Sequence, residues 1–207
     1  CFADTFAFTD AIAFPDASNG WVSGSQGLIA RTSDGGLSWA SQNSGSPGRV
    51  AAIDFADALN GWAVGNSLMH TSDGYSWHMQ SRPDPEQKSL NAVSVVDART
   101  AFAVGDESRA FSTRDGGASW ARETLPRRVS LNGVDFPSGC RGWAVGWGGT
   151  ILHYQSPCVQ PPTQVPPTAT ATPIPPTATP TATPTVTLTP TPSVPWARWR
   201  FDGRLLV

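Results

Sequence analysis

A unit of about 40 residues occurs four times in the first three quarters of the chain. Its second segment reads Gly-Trp-Ala-Val-Gly or a close variant, and its aromatic residue advances in steps of 41, 40 and 41 residues. These marker residues are Trp21, Trp62, Phe102 and Trp143. Each unit has four short apolar or alternating segments separated by Gly, Asn or Asp, which indicates four β-strands. Helical repeats need about ten or more residues with helical periodicity, which the units lack.

The repeat predicts an all-β protein, a β-propeller built from four-stranded blades. One such blade cannot bury both of its faces, so blades must stack around an axis. We expect a propeller region at residues 1–156, with blades at about 9–49, 50–89, 90–130 and 131–156. Composition agrees, because only 14% of the residues are charged and the chain has three Glu and one Lys, so good helix formers are scarce.

A turn of the form Thr-x-Asp-x-Gly-x-Ser-Trp follows the third strand in the first and third units, and a version one residue shorter follows it in the second. The aspartate accepts backbone hydrogen bonds within the turn, the glycines allow the turn, and the tryptophan packs between blades. Equivalent carboxylates on separate blades point away from each other, so we interpret these residues as structural rather than catalytic. They are Asp34, Gly36 and Trp39, then Asp73 and Trp77, then Asp115, Gly117 and Trp120. The shorter turn predicts an exposed Tyr75.

The whole unit resembles the photosystem II stability and assembly factor family, and its turn resembles the Asp-box, also called the BNR repeat, of bacterial neuraminidases. The resemblance covers residue 9 to about residue 155. It implies a non-enzymatic propeller in the thylakoid lumen or periplasm that binds photosystem II subunits during assembly. It implies no cofactor.

The fourth unit lacks both the Asp-box and an outer strand. Two interpretations remain open. Either Thr5–Phe8 supplies the missing strand and closes a four-bladed ring, or the four blades are a fragment of a larger ring. We favour the fragment.

Residues 157–195 hold thirteen of the nineteen prolines and otherwise consist mainly of Thr, Ala and Val. This composition predicts a disordered, extended linker of the kind that exported proteins carry as a glycosylated stalk. Residues 196–207 form a short tail to which we assign no structure, being too few to fold. The linker indicates an exported or cell-surface protein.

Four residues are candidates for binding a partner. Trp147 lies in a turn where the other units have Ser25, Asn66 and Asp106, so no core requirement explains it. Arg31, His70 and His153 share one repeat position just before the Asp-box and form a polar ring. Cys140 lies within the fourth unit and Cys158 just after it, and the two either form a disulfide or remain two thiols. No spacing of His or Cys indicates a metal site.

These observations favour a non-catalytic module that binds a protein, with photosystem II subunits as partners if the family role holds. The alternative is a sialidase-like glycosidase or a glycan-binding propeller. A sialidase needs an arginine cluster and a tyrosine nucleophile with a Glu partner. The chain has only two tyrosines, Tyr75 and Tyr154, as candidates for that nucleophile. A net charge of −2 gives no reason to expect nucleic acid, and no apolar run spans a membrane.

Overall fold

The computed structural model describes residues 8–157 and 198–204, and it confirms the all-β propeller. Within these residues, sixteen strands form four antiparallel sheets of four strands each. Sheet 1 contains β1 (Thr9–Ala13), β2 (Gly20–Gly24), β3 (Leu28–Thr32) and β4 (Ala40–Asn43). Sheet 2 contains β5 (Val50–Phe55), β6 (Gly61–Gly65), β7 (Leu68–Thr71) and β8 (His78–Met79). Sheet 3 contains β9 (Leu90–Val95), β10 (Ala101–Gly105), β11 (Ala110–Thr113) and β12 (Ala121–Arg122). Sheet 4 contains β13 (Leu131–Ser138), β14 (Arg141–Gly146), β15 (Thr150–Gln155) and β16 (Arg198–Arg204).

The outer strand of the fourth blade comes from the end of the chain. Strand β16 pairs antiparallel with β15, from Gln155 opposite Arg198 to Thr150 opposite Arg204. One of the two interpretations above placed Thr5–Phe8 at this position, and residues 196–207 were expected to be too few to fold. Those seven residues form a strand because β15 offers them a ready edge of unpaired backbone groups. The linker at 157–195, apart from Pro157, lies outside the described residues.

Neighbouring blades are joined by aromatic and aliphatic side chains. In sheets 1, 2 and 3, the face that carries the marker aromatic packs on the next sheet along the chain. Trp21 stacks on Phe55 with ring centroids 3.8 Å apart, and Phe102 stacks on Phe136 at 3.5 Å. Trp62 is buried among residues of sheets 2 and 3. The core is therefore a series of three clusters, one between each pair of blades.

The Gly-Trp-Ala-Val-Gly strand owes its glycines to close approaches. A Cβ at Gly61 would lie 2.4 Å from ring atoms of Phe55, and a Cβ at Gly65 would lie 2.0 Å from the carbonyl oxygen of Arg49. In the third blade Ala101 takes the first position, and Val95 faces it instead of a phenylalanine. The residue just before the marker aromatic, which is Gly20, Gly61, Ala101 or Gly142, is thus matched to the size of the side chain opposite it.

A hydrogen bond crosses two of the blade interfaces at one repeat position. Asp54 Oδ2 accepts from the Val95 backbone N–H at 2.7 Å, and Ser94 Oγ accepts from the Phe136 N–H at 2.9 Å. Both acceptors lie opposite the marker aromatic, since Asp54 pairs with Trp62 in the strand register. Each bond satisfies a backbone N–H in the second half of the inner strand of the next blade.

Candidate functional site

The Asp-box is a closed set of short hydrogen bonds. In the first blade Asp34 accepts from the Ser38 N–H at 2.9 Å and from the Ser38 hydroxyl at 2.6 Å. Thr32 Oγ1 donates to Asp34 at 2.7 Å and accepts from the Gly36 N–H at 2.9 Å. The Ser38 and Thr32 bonds lower the pKa of Asp34 to about 2. The carboxylate is fully engaged inside its own turn.

The third blade repeats this geometry, and the second blade has a shorter version. Asp115 accepts from the Ser119 N–H at 3.0 Å and from its hydroxyl, and its pKa is lowered to about 2. In the second blade Asp73 accepts from the backbone N–H groups of Ser76 and Tyr75, which lower its pKa. The Tyr75 side chain is exposed, as the shortened turn predicts.

The box tryptophans of blades 2 and 3 each connect their blade to the one before it. The Trp77 indole N–H donates to Gln42 of sheet 1 at 2.9 Å. The Trp120 indole N–H donates to Gln80, just after β8, at 2.8 Å. Both indoles are buried, whereas Trp39 in the first blade is only half-buried, against the edge of Phe14.

The predicted polar ring does not converge on one site. Each member lies beside the marker aromatic of its own blade: the His70 ring is 4.3 Å from Trp62, and the His153 ring is 5.0 Å from Trp143. The Arg31 guanidinium lies 4.0 Å over the ring of Tyr75 in the next blade. Burial, and to a lesser extent the charge of a neighbouring histidine, lower the pKa of His70. These side chains pack on separate blades, and their role in binding stays a prediction.

Trp147 lies at the tip of the β14–β15 turn with 72% of its surface exposed. Its backbone N–H donates to the Ser130 carbonyl at 3.1 Å, and its carbonyl accepts from the Thr150 hydroxyl at 2.7 Å. The Arg127 guanidinium also contacts Thr150 Oγ1. The Trp147 turn is therefore attached to the β12–β13 connection, on the same end of the blades.

A cavity of about 490 Å³ opens beside this connection. It lies between blades 2 and 3, where the β8–β9 connection, the β10–β11 turn and the β12–β13 connection meet. Charged side chains dominate its lining: Asp84, Glu86, Glu107, Arg109, Arg122, Arg127 and Arg128. In a chain with so few charged residues, this is a strong local concentration.

Arg109 is the centre of the cavity's charge network. Its guanidinium is buried and pairs with Asp84 at 2.8 Å, Glu86 at 2.7 Å and Glu107 at 3.4 Å. Burial raises the pKa of Asp84, but the hydrogen bond and charge of Arg109 outweigh it and hold that pKa below its ordinary value. The three carboxylates of the lining thus all face one arginine.

The remaining arginines form a cationic rim around the cavity, which we define as Arg122, Arg127 and Arg128. The side chain of Arg128 is 80% exposed and contacts Glu107 at 3.3 Å. The lining has four arginines and three carboxylates, and Arg109 pairs with all three carboxylates. The other three arginines therefore give the rim an excess of positive charge. The arrangement can attract an anionic group, and exposed Trp147 can cover an apolar side chain nearby.

Sequence reasoning missed this cavity. The one available signal was the charged connection Arg82-Pro83-Asp84-Pro85-Glu86-Gln87-Lys88, which interrupts an otherwise weakly charged repeat. Nothing in the spacing shows that Arg109, some twenty residues later, pairs with it. Only the packing of β11 under the β8–β9 connection brings them together.

Cys140 is disulfide-bonded. Cys158 lies outside the described residues, so the pairing of the two stays a prediction. Within residues 8–157 and 198–204, no three His, Cys, Asp or Glu side chains group to hold a metal ion. Nor do these residues include a helix long and apolar enough to cross a membrane.

Comparison with known proteins supports the resemblance predicted from the repeat. Residues 4–85 match the family described as photosynthesis system II assembly factor YCF48. Over 118 residues the chain is 32% identical to the photosystem II assembly lipoprotein Ycf48 of Synechococcus sp. (strain CC9902), covering 53% of this chain and 34% of that protein. The chain thus spans about a third of the curated relative's length.

Three solved structures show the same fold. YCF48 bound to D1 peptide is 18% identical, with a TM-score of 0.56 over 74% of this chain and 50% of that one. YCF48 from Cyanidioschyzon merolae is 18% identical, with a TM-score of 0.59 over 72% of this chain and 53% of that one. The computationally designed Ika4 protein is 12% identical, with a TM-score of 0.60 over 75% of this chain and 95% of that one. The confirmed features are the propeller, its repeat type and the resemblance to the photosystem II assembly factors.

Proposed function

We propose that this chain, a propeller of the photosystem II assembly factor type, is a non-catalytic module that binds a segment of a photosystem II subunit. The observation that carries the proposal is the cavity with its cationic rim beside exposed Trp147. The relatives support the partner class, since one is named an assembly lipoprotein and another is a YCF48 bound to D1 peptide.

The chemistry of the rim favours an extended peptide with a carboxylate. Arg109 is buried and engaged by three carboxylates, whereas the Arg128 side chain of the rim is 80% exposed and therefore accessible to a ligand while it contacts Glu107. Arginine binds carboxylates through paired N–H groups, which gives such a contact direction as well as attraction. An apolar residue of the peptide would lie on the Trp147 ring.

The two tyrosines support a non-catalytic role. Tyr154 is completely buried, its hydroxyl accepts from Arg114 at 3.0 Å, and burial together with the charge of Glu123 raises its pKa. A tyrosine nucleophile needs the opposite, a lowered pKa and access to substrate. Tyr75 lies in an Asp-box turn and stacks under Arg31. The glycosidase alternative therefore lacks its central residue among the described ones, and no relative named above is a glycosidase or a lectin.

The same proposal places the protein outside the cytoplasm, in the thylakoid lumen or periplasm. A lipoprotein relative and the disulfide at Cys140 support this location, because disulfides persist in oxidising compartments. The linker composition supports export as well.

A titration with synthetic peptides that tile the D1 subunit tests the function. We expect at least one acidic peptide to quench the tryptophan fluorescence of the 207-residue chain saturably, with an affinity that falls as salt is added. Arg128→Glu and Trp147→Ala should each weaken binding about tenfold or more.

The matched control is Arg99→Glu, which makes the same charge change on an exposed arginine at the opposite end of blade 3. It should leave the affinity unchanged. If no peptide binds, or if Arg99→Glu weakens binding as much as Arg128→Glu, the proposed site is wrong.

A further inference from the structure

The outer face of the fourth blade exposes positions that are buried at every internal blade interface. Trp143 of β14 is 40% exposed, whereas its equivalents Trp21, Trp62 and Phe102 are at most 1% exposed. Two residues on, Val145 is 48% exposed, whereas its equivalents Ser23, Val64 and Val104 are also at most 1% exposed. An apolar strip that a neighbouring blade covers elsewhere is therefore uncovered here.

The first blade exposes the opposite half of the same interface. Ile12 is 62% exposed, while its equivalents Ile53 and Val93 are 5% and 8% exposed. Phe14 is 43% exposed, while its equivalents Phe55 and Phe136 are 7% and 3% exposed. The half-buried Trp39 belongs to this face too, because the box tryptophans of blades 2 and 3 contact the preceding blade.

These two faces are complementary group by group. Inside the chain, the marker aromatic stacks on the phenylalanine of the next blade in two of three interfaces, and Trp143 and Phe14 are the members left without such a partner.

The polar residues at the two faces are complementary as well. Exposed Asp135 is the equivalent of Asp54 and Ser94, which accept a backbone N–H from the next blade. The equivalent N–H is that of Phe14, and no acceptor for it lies among the described residues.

We propose that a second copy of this chain covers both faces. Blade 4 of each copy packs on blade 1 of the other, Trp143 stacks on the partner copy's phenylalanine, and two identical contacts close a ring of eight blades. Each copy offers both halves of the contact, so two copies leave neither face exposed.

The lengths of the similar structures fit a second copy. The chain spans 50% and 53% of the two YCF48 structures, so two copies supply about one ring of that size. It also spans 95% of the designed Ika4 protein, so that solved chain has about the length of the four blades described here.

Light scattering coupled to size-exclusion chromatography tests the proposal on the 207-residue chain. The chain has a mass of 21.9 kDa, and we expect twice that mass at micromolar concentration. Trp143→Asp and Phe14→Asp should each shift the species to the monomer mass, because a buried unpaired carboxylate would replace each stack. Leu59→Asp is the control, since it puts the same carboxylate on an exposed apolar residue in the β5–β6 turn of blade 2, away from both faces, and it should remain a dimer.

Mixing the two interface variants gives a second readout. In a mixed pair, one contact joins the unchanged Trp143 of one chain to the unchanged Phe14 of the other, while the second contact carries both changes. Mixing should therefore restore part of the dimer, and circular dichroism should show that each variant keeps its sheets. A monomeric parent chain, an open series of oligomers, or a dimer that survives both substitutions would overturn the proposal.

Discussion

The indole of Trp21 lies nearly parallel to the phenyl ring of Phe55, with centroids 3.8 Å apart and an angle of 19° between the planes. This stack joins the first blade to the second. Phe55 can take this position because Gly61 lies opposite it in the strand register and leaves room for the ring. One glycine, one phenylalanine and one tryptophan thus form a single packing unit across two blades.

Gly61→Ala should destabilise the protein by about 1–3 kcal/mol, because the new Cβ would overlap the Phe55 ring and push it off Trp21. Chemical denaturation followed by tryptophan fluorescence measures the loss in unfolding free energy. The third blade suggests the compensating change, since Ala101 there faces Val95.

The double variant Gly61→Ala/Phe55→Val should recover part of that loss. We expect the two substitutions to couple favourably by about 0.5–3 kcal/mol in a double-mutant cycle. Additive effects of the two changes would show that the glycine does not make room for the ring.

The first Asp-box should make stability depend on pH at the acidic end. The pKa of Asp34 is about 2 in the fold against an ordinary value of 3.8, so the ionised carboxylate stabilises the fold above about pH 4. That contribution is lost as the pH falls from about 4 to 2. In Asp34→Asn the slope of the thermal midpoint against pH should be smaller in this window.

Two serine variants separate the hydrogen bonds from the turn itself. Ser38→Ala removes the hydroxyl that donates to Asp34 at 2.6 Å, so it should raise the pKa of Asp34 and give an intermediate slope. Ser33→Ala changes an exposed serine in the same turn and should keep the parent slope. Parent-like slopes in both Asp34→Asn and Ser38→Ala would contradict the prediction.

Arg109→Met should cost about 3–5 kcal/mol of unfolding free energy, because it leaves the buried carboxylate of Asp84 without its main partner. Adding Asp84→Asn should recover part of the loss by removing the unpaired charge. Arg128→Met is the control, since an exposed ion pair is worth at most about 1 kcal/mol. Equal losses for Arg109→Met and Arg128→Met would show that the network does not support the cavity.

The repeat was sufficient to predict the sheets, because each blade is a local unit whose strands are separated by short turns. The Asp-box geometry was predictable for the same reason, since Thr32, Asp34 and Ser38 interact within seven residues. The fourth strand of the last blade was not predictable. Strand β16 pairs with β15 across a long stretch of chain, and local pattern carries no information on such a pairing.

The charged cavity was also beyond the sequence. Asp84 and Glu86 lie in a connection, whereas Arg109 lies between a turn and a strand of the next blade. Each charge alone looks like an ordinary solvated surface group. Their convergence depends on how blade 3 packs beside blade 2, which is a property of the ring and not of any single unit.

The strands β6 and β14 separate what sequence determines from what tertiary structure decides. Both contain Gly-Trp-Ala-Val-Gly, and this local pattern makes each the second strand of its blade. Yet Trp62 is completely buried and Trp143 is 40% exposed. Identical residues differ in burial because the surface that covers a blade belongs to its neighbour, so only the arrangement of blades determines which tryptophan is core and which is surface.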